Sequence, residues 1–100
     1  PSNHFKDMNI GSPLYMAPEA YIFNLYGPKT DVWAFGVILF ELTHGRTPSS
    51  HCTSELDLRR SLERGVGESE LRRDLSPQLR ELILRCLVVD EAKRISVDQI

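Results

Sequence analysis

TDVWAFGVILFELTHG, from Thr30 to Gly45, is the stretch whose reading decides the fold. Its apolar residues Val32, Trp33, Ala34, Phe35, Val37, Ile38, Leu39, Phe40 and Leu42 cover nearly the whole circumference of a helical wheel. A helix that is apolar on every side must be buried on every side or cross a membrane. The run from Val32 to Phe40 is too short to span a bilayer, and Asp31 and Glu41 bracket it closely. The β-branched Val37 and Ile38 would equally suit a buried strand, and periodicity alone does not decide. Thr30 or Asp31 as N-cap and Gly45 as C-terminal stop tip the reading to a central helix over 30–44, with other segments packed around it. Asp31 is a carboxylate at the mouth of a buried element. It reads first as the cap of its own helix, and second as an acceptor for another backbone segment.

The 100 residues allow one small domain, which buries about 60–65% of its unfolded surface. A hydrophobic share of 41% and a charged share of 26% describe an ordinary globular chain. The net charge of −2, with Lys and Arg scattered among acids, gives no electrostatic case for nucleic acid or for an anionic membrane. Cys52 and Cys86 match no metal or redox spacing, so no metal site is expected. A reducing, cytoplasmic compartment is the expectation that follows. There is neither a signal peptide nor a transmembrane span in the sequence. The chain opens at Pro1 without a methionine and stops at Ile100 as a new helix starts, so we expect a piece of something larger.

Taken in order, residues 1–10 are polar and aperiodic and read as loop, continued by the turn chemistry of Gly11-Ser12-Pro13. Pro18 keeps Ala17 out of the helical region and opens a short helix through Phe23, which Tyr26-Gly27-Pro28 should end. Ser54-Glu55-Leu56-Asp57 has capping-box spacing and starts a helix over 54–64; its thin Leu56, Leu58, Leu62 pattern predicts a peripheral, half-exposed element. Ser76-Pro77 pairs a capping Ser with Pro at the first helical position and starts a helix over 76–88. On it Leu79, Leu82, Ile83, Cys86 and Leu87 make one apolar face, so Cys86 reads as inert core. Asp90 to Arg94 is a charged connector, and Ser96 to Gln99 has capping-box spacing again, marking a helix over 96–100. The fold class is all-α.

Three segments now combine. The order GSPLYMAPEA, KTDVWAFGVILFEL, LILRCLVVDEAKRIS resembles the lower half of the large lobe of a eukaryotic protein kinase, from the end of its activation segment (1–19) to the start of its last helix. The resemblance covers nearly the whole chain and implies an α+β parent domain. It implies that Gly11, Ser12, Pro13, Leu14 and Tyr15 form the loop that receives the substrate, in the serine/threonine style. It implies an ion pair between Glu19, of Ala17-Pro18-Glu19, and Arg94. By the same resemblance Asp31 holds the catalytic loop from below, Ile38 and Leu42 support the apolar column beneath the adenine, and Trp33 packs under the activation segment. Ser49, where an apolar residue commonly follows the Pro, and Glu91, where Pro is usual, depart from the pattern.

The resemblance implies transfer of the ATP γ-phosphate to protein serine or threonine, with ATP and magnesium as the complete domain's requirements. None of the Gly-rich loop, strand Lys, catalytic-loop Asp or metal-binding Asp motifs is in the sequence. No catalytic or magnesium role therefore falls on its residues, and the chain alone is expected to bind ATP weakly and to be inactive. Between Asn3 and Ile10 there is no hydroxyl residue, so Ser2 is the only upstream candidate for activating phosphorylation. The expected partners are a protein substrate and the remainder of the kinase domain, without which the central helix should expose apolar surface. The alternatives are a pseudokinase or regulatory protein-binding module without phosphotransfer, and an unrelated helical interaction domain in which Glu19 and Arg94 stay apart.

Overall fold

The structure is a computed structural model that describes residues 13–100. All its regular elements among the described residues are helical. They are α1 (Pro18–Phe23), α2 (Thr30–His44), α3 (Glu55–Arg64) and α4 (Pro77–Cys86), with 3₁₀ turns at Pro13–Tyr15, Glu68–Glu70, Glu91–Lys93 and Val97–Gln99. No helix among them is long and apolar enough to cross a membrane.

The centre of the assembly is α2. Val32, Trp33, Val37 and Phe40 are buried along one side of it. Its longest interface is with α4, which presents Ile83, Cys86 and Leu87, all at most 2% exposed. Gly36 makes that approach possible: a Cβ there would meet Cys86 Cβ at 2.6 Å and the Leu87 side chain at 3.0 Å. The 3₁₀ turn Pro13–Tyr15 lies against α2, and α1 packs on α3.

Burial all round α2 is met on one side only. Phe35, Ile38 and Leu42 are 39%, 45% and 77% exposed, and Asp31 is exposed as well. The described residues supply neighbours for half of an all-apolar helix. The expected cap also moves. Lys29 occupies the N-cap position without a side-chain capping bond, and Thr30 is already the first helical residue. Thr30 is drawn into a tertiary contact instead, as shown below. Gly45 does stop α2, with φ of 76° and its N–H on Glu41 O at 2.8 Å.

Two helices meet their expected bounds by different means than expected. Asn24, in the left-handed conformation at φ 56°, ends α1 before Tyr26-Gly27-Pro28 is reached. A carboxamide residue is among the few that tolerate this geometry. In α3, Leu58 and Leu62 lie four residues apart on one face and are 0% and 3% exposed, so one face joins the core while the rest of the helix, Leu56 included, is exposed as expected. Its cap is divided: the Asp57 N–H donates to Ser54 Oγ at 3.1 Å, while the Asp57 carboxylate reaches back to Thr53. The shorter Asp side chain does not complete the box on Ser54. Ser76 caps α4 as expected, accepting from Leu79 N–H at 3.2 Å.

The C-terminal end of α2 pins the segment between α3 and α4. The His44 ring stacks on Phe40 with centroids 4.0 Å apart. Its Nε2 accepts from the Arg72 N–H at 3.0 Å, which leaves Nδ1 to donate to Phe40 O at 3.0 Å. Arg72 adds a bond from Nη1 to Thr43 O at 3.1 Å.

Candidate functional site

The best-satisfied polar node of the described residues lies where the end of the 13–19 segment meets the first turn of α2 and the loop after α4. Its centre is Arg94, whose side chain has no exposed surface. A buried guanidinium is tolerated only when its donors are paired. All five N–H donors of Arg94 have acceptors. Nη1 and Nη2 clasp the two Glu19 carboxylate oxygens at 2.9 Å each, side by side. Nη1 also donates to Lys29 O at 2.7 Å, Nε to Val88 O at 2.9 Å, and Nη2 to Val89 O at 3.4 Å. The guanidinium carbon lies 5.3 Å from the centroid of the Trp33 ring.

Local structure places each partner. Pro18 opens α1 and sets Glu19 in its first turn, where a carboxylate is favoured by the helix dipole. Asp90 caps the 3₁₀ turn Glu91–Lys93 through the Ala92 N–H at 3.0 Å, and the turn delivers Arg94 inward. Glu19 also accepts from the Thr30 hydroxyl at 2.9 Å, and Thr30 in turn accepts from the Gly27 N–H at 2.9 Å. Burial pushes the Glu19 carboxyl upward, but the Arg94 guanidinium, its own backbone N–H and the Thr30 hydroxyl outweigh burial and hold it below 4.5.

A second link runs directly under the 13–15 turn. The Tyr15 hydroxyl donates to a Glu41 carboxylate oxygen on α2. That acceptor, burial and the Glu41 charge together raise the Tyr15 pKa above 10.0. Pro13 is buried and Leu14 is half-buried against the core. Gly11, Ser12 and Ser2 lie outside the described residues.

The structure thus brings Glu19 and Arg94 together, 75 positions apart in the chain. Trp33 lies on the same node, whereas Asp31, Ile38 and Leu42 face away from it on the exposed side of α2. Residues that the sequence did not single out for the site are Thr30, Glu41 and the carbonyls of Lys29, Val88 and Val89. Main-chain acceptors leave no residue signature, and Thr30 reads locally as a cap. The arrangement positions backbone; it holds no nucleophile poised by a base. Cys86, the buried thiol of α4, is pushed up to about 11 by burial. Among the described residues, no group of three or more His, Cys, Asp or Glu could hold a metal ion.

A model of the protein kinase domain family matches residues 1–100 of the chain. The serine/threonine-protein kinase ATG1 of Saccharomyces cerevisiae is 34% identical over 99% of this chain and 11% of the yeast protein. The serine/threonine-protein kinase ULK3 is 44% identical in Mus musculus and 42% in Xenopus laevis, in both over 86% of this chain and 18% of the relative. The chain therefore spans between 11% and 18% of the length of these relatives.

Proposed function

The chain belongs to the protein kinase domain family, and from that premise we propose that it supplies the substrate-docking loop and helical scaffold of a domain that moves the ATP γ-phosphate onto serine or threonine of a protein. The observation that carries the docking role is the Arg94 node. It fixes the segment that immediately follows Pro13–Tyr15 to the base of α2 and to the loop after α4, by bidentate and main-chain bonds. A docking loop has to hold its substrate still, because a displacement of about 1 Å can lower phosphotransfer by about 100-fold.

In this reading Gly11 to Tyr15 receive the substrate, and the Tyr15–Glu41 bond braces the loop from α2. Asp31 holds the catalytic loop, and Ile38 and Leu42 support the apolar column beneath the adenine. The exposure of all three on one side of α2 supports this reading, since it leaves them open to further parts of the parent protein. In this reading ATP and magnesium are held by those parts, since the sequence carries none of the family's nucleotide- and metal-binding motifs. The chain alone transfers no phosphate.

The test uses the full-length parent protein, a protein substrate and the variants Arg94→Ala and Arg94→Lys. Substrate phosphorylation should fall by about 10- to 100-fold in Arg94→Ala, as loss of positioning requires. Lysine should rescue it poorly, because one ammonium cannot make the bidentate clasp. Nucleotide binding by the parent should be unchanged. Unchanged phosphorylation with either variant would refute the docking role, and a wild-type parent that binds substrate but never transfers phosphate would instead establish the pseudokinase reading.

A further inference from the structure

A small cavity lies beneath Leu14, bounded also by Trp33, Val37, Ser49, Ser61 and Glu70. About 10 Å³ of it is open to the centre of a water-sized sphere, the room that a single water needs. The walls carry buried polar groups. Trp33 is 2% exposed, and its Nε1–H has no acceptor among the described residues. Ser49 and Ser61, 5% and 8% exposed, are 2.8 Å apart, hydroxyl to hydroxyl. The Cys52 sulfur lies against both hydroxyls and can take the hydrogen that their mutual bond leaves over, so what the pair offers the cavity is oxygen lone pairs. Glu70 stands at the half-exposed rim of the cavity and commits Oε2 to the Gly67 N–H at 2.9 Å.

The demands of these groups define the occupant. The indole N–H needs an acceptor, which an apolar atom cannot be. The lone pairs left on the two serine hydroxyls can accept from a donor. The space excludes anything larger than one small molecule. We infer that the cavity is a binding site for one internal water, which accepts from Trp33 Nε1–H and bonds the Ser49–Ser61 pair. A buried water of this kind makes about three hydrogen bonds to groups that would otherwise be unpaired. It ties α2 to α3 and to the Pro48-Ser49 turn under the 13–15 segment. It also gives a physical role to Ser49, which stands where the resemblance led us to expect an apolar residue. The inference is independent of phosphotransfer.

The test is a high-resolution crystal structure of the full-length parent protein or its complete kinase domain, with the assigned Trp33 indole N–H followed by NMR. The expected result is an ordered water within about 2.7–3.2 Å of both Trp33 Nε1 and a Ser49 or Ser61 hydroxyl. The indole N–H should show a cross-peak to a long-lived water. Ser49→Val should abolish that cross-peak, and Ser61→Ala should weaken it. Nε1 bonded to a protein acceptor, or a well-ordered wild-type cavity without density, would overturn the proposal. If Ser49→Val does not fold, the wild-type density decides alone.

Discussion

The two sides of α2 are made of the same kinds of residue and meet opposite environments. On one side Val32, Trp33, Val37 and Phe40 are at most 2% exposed, enclosed by α4, α3 and the Arg94 node. On the other, Phe35, Ile38 and Leu42 are exposed, with Asp31 above them. Hydrophobicity therefore says which positions want cover, and only the packing says which have it. The buried side is closed by side chains of this chain plus one ion pair. The open side is the place where, in the functional reading, further segments of the parent rest.

The largest expected effect falls on the buried side. In the parent protein, Arg94→Ala takes both guanidinium bonds from the Glu19 carboxylate, 11% exposed, and one donor from each of the Lys29, Val88 and Val89 carbonyls. Removing one member of a buried ion pair costs about 3–5 kcal/mol, measurable as a shift in the denaturant midpoint. A loss below about 1 kcal/mol, the range of surface pairs, would mean that this side of α2 is not closed by the node. The same pair predicts a pH dependence. The folded Glu19 carboxyl is held below 4.5 by the balance of burial against Arg94 and Thr30, so its contribution is complete above the ordinary carboxylate range. It is lost as pH falls through the folded value. Acid unfolding should accordingly be steeper in the wild type than in Glu19→Gln, and parallel acid limbs would contradict it.

The open side gives the next effect. If Ile38 and Leu42 support neighbouring segments in the parent, Leu42→Gln forfeits about 1.5–3 kcal/mol, the worth of a buried leucine. The substitution in the parent should lower its melting temperature accordingly. A change within about 0.5 kcal/mol, as for an ordinary surface position, would show that the open side stays open and would remove the support role.

How much of this was legible in the sequence follows the range of the interactions. Ser54, Ser76 and Gly45 act on residues three or four positions away, and each stands at the helix end where it was expected. The 3.6-residue period likewise found Ile83, Cys86 and Leu87. The thin leucine pattern of α3 matches a half-exposed helix, but it hides how far the buried face reaches, because the third core-facing residue beside Leu58 and Leu62 is polar Ser61, paired with Ser49 across the loop. Thr30 was misassigned as a cap because its hydroxyl serves Glu19, eleven positions away. No periodicity links Glu19 to Arg94. That pairing came from resemblance, and only the fold shows the carbonyls that complete it.

Gly36 within α2 and Gly45 at its C-terminal cap supply the smallest and most discriminating pair of effects. Gly36 lies within the helix, where the backbone favours alanine over glycine by about 0.5–1 kcal/mol, so any loss there is steric and is partly offset. Its new Cβ would stand 2.6 Å from Cys86 Cβ, on the interface between two packed helices. Overpacking of this kind costs about 1–3 kcal/mol. Gly45 is the opposite case. Among the described residues nothing lies within 4 Å of a Cβ there, and the cost comes from φ of 76°. Gly45→Ala should lose about 1 kcal/mol, because an L-residue is strained in the left-handed region. Gly45→Asn should recover part of that loss, while Gly36→Asn should be worse than Gly36→Ala. Equilibrium unfolding of the four variants in the parent protein separates the two causes. If asparagine were tolerated equally at both positions, the α2–α4 contact would not be the close packing that the buried side of this helix requires.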